Sequence, residues 1–391
     1  GAIGNGNVST ARPAIVLADA TAGLDRGSSG VGTLTITVPT SLNTGVQIGV
    51  PASDVVVSNG VAPDVLLPWI STSMGEFMKL NSSTKVLERV PATIAPLDLG
   101  SLATGSDYRV VTSNAYSTTG TFSSNLSINS LGIYAMSNLT FNIDSGKTLN
   151  ITSGALSQME GVNNQIFIFT NGTLTSSSGT LYVHKSTSQY HGNLILASVI
   201  SGSGMNLVKT GLGNVLLQGP DSNTYNGTTY VTGDLTANKT GSAVAVPGNL
   251  VIQAGGRFYA NGTAPISSTS AVTIEEDGLW SSGLGNIVHG GTVTINGGCY
   301  YSQNYFNTFA GPGTGLVFTA GGRLFDWNGG PASFSIQTTV AYLSSSTRQA
   351  RIERGRSDFS ATVELDGAQR TFAIADSATL AANVPELIID M

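Results

Sequence analysis

Four short segments in the second half of the chain repeat one another at a nearly constant interval. They read LVIQAGGRF at 250–258, VTIEEDGLW at 272–280, VTINGGCY at 293–300 and LVFTAGGRL at 316–324. Each opens with two apolar residues one position apart: Leu250 and Ile252, Val272 and Ile274, Val293 and Ile295, Leu316 and Phe318. Each then turns at glycine and resumes with an apolar or aromatic residue. The starts fall 22, 21 and 23 residues apart. Alternation with a period of two buries one face of a strand. Recurrence after twenty-odd residues lays each strand on the previous copy, because one copy cannot bury its apolar face alone whereas stacked copies share a core. A β-sandwich also alternates, but its Greek-key order gives no reason for one short pattern to return at constant spacing. The repeat specifies a β-solenoid.

Composition agrees with an all-β chain. Of 391 residues only 10% are charged while 40% are hydrophobic, so apolar surface suffices to offset the entropy of ordering. Polarity comes from Ser, Thr, Asn and 49 Gly, which favour turns and strand faces over helices. The first half carries related material with looser spacing. In NLTFNIDSGKTLNITSGAL, Leu139, Phe141 and Ile143 precede a turn at Ser145–Gly146, and Leu149 and Ile151 follow it. With no linker, charge block or low-complexity seam, the expected organisation is a single elongated domain over 1–391. It divides into N-terminal strands (1–60), a hairpin-like element (61–95), the main coils (96–366) and a C-terminal strand region (367–391). The segment PWISTSMGEFMKL, 68–80, partly fits one helical face. Gly75 and the Ser/Thr run weaken a helix, and pairing through EFMKLNSSTKVLERV favours a β-hairpin insertion near 68–90.

The run LASVISGSGMNLVKTGLGNVLLQGPDSNTYNGTTYVTGDL, residues 196–235, resembles the autotransporter-associated β-strand repeat. Ser201–Gly204, Lys209, Gly211, Gly213, Asn223–Tyr225, Gly227 and Thr229 fall at the places of its V-I-S-G-x-G turn, L-x-K-x-G-x-G strand and N-T-Y-x-G-x-T hairpin. GAQRTFAIADSATLAANVPELIID at 367–390 and LLPWISTSMGEFMKL also resemble elements of such proteins. The clearest match covers roughly 130–300. The resemblance implies a right-handed parallel β-helix, exported and displayed outside a Gram-negative-type cell, with no catalytic residues. The C-terminal membrane barrel of the autotransporter plan is not recognisable.

SGSGMNLVKTGLG lacks the order of a phosphate loop and a helix behind it, so its glycines are expected at coil corners and Lys209 at an edge or along the surface. His184 and His191 flank KSTSQY without a third ligand at suitable spacing, and His289 has no partner in sequence. Glu275, Glu276, Asp277 and Asp326 are the candidate carboxylates for glycan cleavage. Three adjacent acids alternate in face, however, and cannot all converge on one bond. No cofactor motif is present. Cys299 is the only cysteine, which excludes an intrachain disulfide, and it is expected as a small buried residue.

Expected partners follow from surfaces. A net charge of −6 disfavours nucleic acid, and the arginines of STRQARIERGRSDF alternate with acids. No apolar run is long enough to span a membrane. Nine Asn-X-Ser/Thr sequons occur, at Asn7, Asn81, Asn125, Asn138, Asn150, Asn171, Asn226, Asn238 and Asn261. Both terminal regions, ARPAIVLADA and VPELIIDM, read as apolar strands without polar caps. They make Ala14, Ile15, Val16 and Leu17 with Leu387, Ile388 and Ile389 the candidate self-assembly interface. In CYYSQNYFNTF the dense aromatics Tyr300, Tyr301, Tyr305 and Phe306 are candidates for core packing, a partner contact or stacking on surface glycans. Taken together, the expected function is a non-enzymatic extracellular scaffold or self-assembling polymer. A glycan-binding adhesin and a glycan-cleaving enzyme are the alternatives.

Overall fold

In a computed structural model, the described residues are 66–72, 77–80, 87–94, 102–112, 118–135, 137–160, 166–185, 192–283, 286–302, 307–326, 333–343, 349–354, 362–365, 370–374 and 387–390. Four short strands before residue 50 are also described. The chain forms two compact units, 1–194 with 210–213, and 195–209 with 214–391. Both are built as parallel β-solenoids.

In the second unit the four repeat segments are consecutive strands of one parallel sheet. Leu250 pairs with Val272, Val272 with Val293 and Val293 with Leu316, while Ile252, Ile274, Ile295 and Phe318 form a second column two residues on. All eight side chains are fully buried. Each Val, Leu or Ile so enclosed contributes about 1.5–3 kcal/mol. The columns extend back through Thr229 and Val231 to Leu207 and Lys209, and forward to Val340 and Tyr342.

A second parallel sheet forms the facing wall. Its inward column runs Val215, Leu235, Phe258, Trp280, Tyr300, Leu324 and Ile352, one residue per coil. From Ile287 onward each coil gains a strand. Ile287–His289, Asn307–Phe309, Ser333–Ile336 and Thr362–Glu364 make a third parallel sheet that the sequence pattern did not indicate.

The repeated glycine pair between strands has two separate causes. Gly255 has φ +72, and an added Cβ would meet open space. Gly256, the next residue, has ordinary φ, but a Cβ there would lie 2.2 Å from the carbonyl oxygen of Val231 in the preceding coil. Gly278, Gly298 and Gly322 stand at the equivalent place, each against a backbone oxygen. We expect Gly256→Ala to destabilise the second unit by about 3 kcal/mol through overpacking. Gly255→Ala should cost about 1–2 kcal/mol for its left-handed backbone. Urea unfolding of the two variants would check the order, and equal midpoints would defeat the distinction.

Within the 196–235 run, the Asn223–Thr229 stretch is a coil corner, not a hairpin. Thr229–Val231 pairs in parallel with strands on both sides. Asn223 ties three turns of chain together: its Oδ1 accepts the Ile200 N–H at 3.0 Å and its Nδ2 donates to the Ala245 carbonyl at 2.7 Å. Tyr225, fully buried, fills the corner and shares a 2.7 Å hydrogen bond with the Thr229 hydroxyl. Lys209 departs from expectation. Instead of an edge or surface position it occupies the inward column and is 0% exposed.

In the first unit one parallel sheet contains Asp107–Thr112, Leu126–Ala135, Thr148–Glu160 and Thr180–Lys185. Tyr108, Leu131, Leu156 and Val183 form its buried column. Across from it, Thr118–Phe122, Leu139–Ile143 and Phe167–Thr170 pair in parallel, with Phe141 and Phe169 stacked at 4.6 Å. The expected hairpin is present, over 66–89, and carries a third strand. Leu66–Thr72 runs antiparallel to Phe77–Leu80, which runs antiparallel to Leu87–Arg89. Register shifts between Leu67 and Ser71, across Pro68, which has no N–H to give a ladder. The element packs Leu66 and Phe77 against Ala155.

Candidate functional site

Three places in the fold hold the side chains singled out by sequence: the interior behind the third sheet, the outer face of the second sheet, and the final coil. In the interior, Tyr300 points inward and is 0% exposed. It is a core residue and cannot stack on a glycan in the folded coil, because alternation sends the second residue of Cys299–Ser302 inward and the third outward. Its ring stacks on Trp280 at 5.3 Å and meets His289 edge-on at 5.6 Å. The Tyr300 hydroxyl donates to Asn307 Oδ1 at 3.0 Å and lies 2.9 Å from His289 Nε2. Asn307 Nδ2 donates in turn to Ser302 Oγ at 2.7 Å and Ser282 Oγ at 3.3 Å.

With the phenol proton directed to Asn307, hydrogen-bond accounting places the His289 proton on Nε2. His289 Nδ1 is then a bare acceptor, buried without a hydrogen-bond partner. Burial alone pushes His289 down to about 3, and burial is the largest cause that holds the Tyr300 phenol well above its ordinary range. Sequence reading left His289 without a role, since the residues that enclose it lie on other strands.

On the outer face of the second sheet, Tyr301 and Phe325 are adjacent in one column, half-buried, with ring centroids 6.0 Å apart. The neighbouring column carries Arg323 and Arg351. Arg323 Nε donates to Glu353 Oε1 at 2.7 Å, its Nη2 donates to the same oxygen, and its guanidinium lies 5.1 Å from the Phe325 ring centroid. Arg351 Nη1 donates to Glu353 Oε2 at 3.4 Å. Further along the same face Arg257 is paired with Asp234 at 2.8 Å. Tyr305 and Phe306 lie outside the described residues.

The final coil consists of Thr362–Glu364, Phe372–Ile374 and Leu387–Asp390, the end strands of the three sheets. Each pairs with the preceding coil and has no second strand partner among the described residues. Ile389 continues the column of Leu324 and Ile352, and Ile374 that of Phe318 and Tyr342, positions at 0% exposure in those coils. Here they are 49% and 42% exposed. Leu387 and Ile388 are half-buried. At the other candidate interface, Ala14–Val16 pairs in parallel with Gln47–Gly49, and Leu17 lies outside the described residues.

The remaining candidates are dispersed. His184, in the first unit, shares a 2.9 Å hydrogen bond with the Thr210 hydroxyl, and His191 lies outside the described residues. Glu275 accepts from Asn296, which accepts from Thr319 at 2.6 Å, so this acid belongs to a corner ladder. Glu276 and Asp277 point to solvent, and Asp277 takes φ 59 where the neighbouring coils have glycine. Cys299 is half-buried and burial pushes its thiol up to about 11. Several sequon asparagines are explained as corner locks. Asn125, Asn138 and Asn150 accept backbone N–H groups of Thr148, Ile166 and Ser177 at 3.0, 2.8 and 3.0 Å. Asn226 does the same for Gly204.

The architecture defines the chain as a parallel β-solenoid. No family model, no curated protein and no solved structure matches it. Among the described residues, no helix is long and apolar enough to cross a membrane.

Proposed function

We propose that the protein is a non-enzymatic structural β-solenoid of a bacterial exterior, assembling through its final coil. One observation carries this reading: columns that are sealed in earlier coils reach the surface at Ile374 and Ile389, on strands that have no second strand partner among the described residues. Such edges template the addition of a strand. A flat coil of this cross-section is best covered by another coil of similar cross-section, which a second copy of the chain can supply. The outside location rests on the resemblance at 196–235 and on a surface whose polarity comes from hydroxyl and amide groups.

Light scattering and negative-stain microscopy test the proposal. The purified chain should form species larger than a monomer, and Ile374→Asp with Ile389→Asp should return it to monomers while the thermal transition is retained. A wild-type monomer, or assembly indifferent to both substitutions, would defeat it.

A further inference from the structure

We propose that the outer face of the first sheet in the second unit docks the same face of a second copy of this chain, side by side, so that end-joined copies associate into ribbons. The ribbon rests on end-on assembly through the final coil, whereas the face-to-face contact does not. Between the two inward columns each strand sends one residue outward, and pairing aligns these as Tyr230, Val251, Thr273, Thr294, Val317 and Ala341. None is charged. The four from Val251 to Val317 are β-branched and half-buried, and present their methyl groups at one height on the pleated surface. Along one side run Asn249, Ala271 and Thr292, also uncharged, and Arg370 enters only at the final coil, beyond this footprint. Along the other side the one charge is Glu275, which accepts from Asn296, while the exposed Glu276 and Asp277 lie past the strand at the corner. The outer face of the second sheet, by contrast, carries the ion pairs Asp234–Arg257 and Glu353–Arg323.

The first unit shows what such a face takes. Ala155 points outward there, since its neighbour Leu156 stands in the inward column. It is nevertheless 0% exposed, because Leu66 and Phe77 of the antiparallel element pack on it. A second β-layer thus covers that outer face. In the second unit no such layer covers Val251 to Ala341 among the described residues. The like face of another copy can supply one, since a flat, uncharged patch is complementary to itself under a two-fold axis and buries no unpaired charge. Five coils of short strands span roughly 24 Å by 15 Å, or about 350 Å² a side, from the ordinary strand and residue spacings. That is under half of the about 800 Å² a side of a stable pair. One contact is therefore weak between free copies, and a row of them along end-joined copies adds through effective concentration.

The test uses the full chain. In negative-stain images end-joined wild-type copies should lie side by side, and Thr273→Lys with Thr294→Lys should leave them single. Neither hydroxyl is hydrogen-bonded among the described residues, so the melting transition should stay in place. The end-blocked variant, Ile374→Asp with Ile389→Asp, should be monomeric in dilute solution and dimerise in sedimentation only toward about 1 mM, as a patch of this size implies. Adding the two lysines should weaken that dimer by about tenfold or more, through like charges brought together. Single wild-type rows, side-by-side association untouched by the lysines, or an end-blocked variant that shows no dimer would overturn the proposal. If the double lysine variant loses its melting transition, Thr294→Lys alone replaces it. If wild-type copies never join end to end, the assembly reading falls, and sedimentation with and without the lysines decides this contact by itself.

Discussion

Acidification from pH 7 to pH 4 should remove about 3 kcal/mol of stability from the wild-type chain through His289 alone, by proton linkage. The imidazole is enclosed by Trp280, Tyr300 and Phe309, with ring centroids at 5.2, 5.6 and 5.3 Å. No carboxylate among the described residues offsets its burial. Burial lowers its folded-state value from 6.5 to about 3. Above pH 6.5 both folded and unfolded chains carry a neutral imidazole, and the group is indifferent. As pH falls through 6.5 the unfolded chain takes up a proton that the folded chain refuses, so stability declines until the folded value near 3 is reached. His289→Phe keeps the stack on Phe309 and removes the titration. It gives up the hydrogen bond to Tyr300 at every pH, so only the difference between the two pH values is diagnostic. Paired urea unfolding of wild type and variant at pH 7 and 4 cancels the ordinary carboxylates. An equal acid loss in both proteins would remove His289 from the account.

Trp280→Ala should be the most damaging single truncation in the second unit, at about 3–5 kcal/mol. The indole is fully buried between Phe258 and Tyr300, at 4.9 and 5.3 Å, and meets His289 edge-on. Its removal opens a cavity in a column whose backbone spacing is fixed by the ladder on both sides, so collapse is limited. Trp280→Phe should cost less than half as much. It restores most of the ring and removes an indole N–H buried without a hydrogen-bond partner. Thermal or urea denaturation distinguishes these cases, and an alanine variant as stable as the phenylalanine one would contradict the packing argument. The alanine variant should also show a smaller acid loss, because the cavity would admit water to His289.

The first sheet was legible in sequence because its signal is local and repeated. Leu250, Val272, Val293 and Leu316 stand in one column as their spacing requires. The antiparallel element at 66–89 was legible in kind, though its packing on Ala155 was not. The third sheet was hidden. Its strands IVH, NTF, SFSI and TVE are no shorter than LVI and VTI of the first sheet, but they share no repeated apolar pattern, and the walls that enclose them are distant in sequence. Tyr300 and Tyr301 show the same limit, since two like residues in succession leave the inward one undetermined until register is known. Lys209 was misplaced because charge suggested the surface, whereas its column position puts it inside. The Arg323–Glu353–Arg351 group joins residues from successive coils, so only stacking brings it together.

The columns have a consequence for how such a chain can vary in length. Val272 and Val293 occupy the same position one coil apart, and Leu250 precedes both. Excising one full repeat would set Val293 on Leu250 and leave every wall continuous. Among the described residues, no strand in the repeated region returns to close a barrel or a sandwich, so none of them fixes how many coils there must be. Copy number is therefore a quantity that recombination can alter in whole steps. The His289 interior and the Arg323 face are each shared between successive coils, so either would have to be gained or lost as a block of stacked coils.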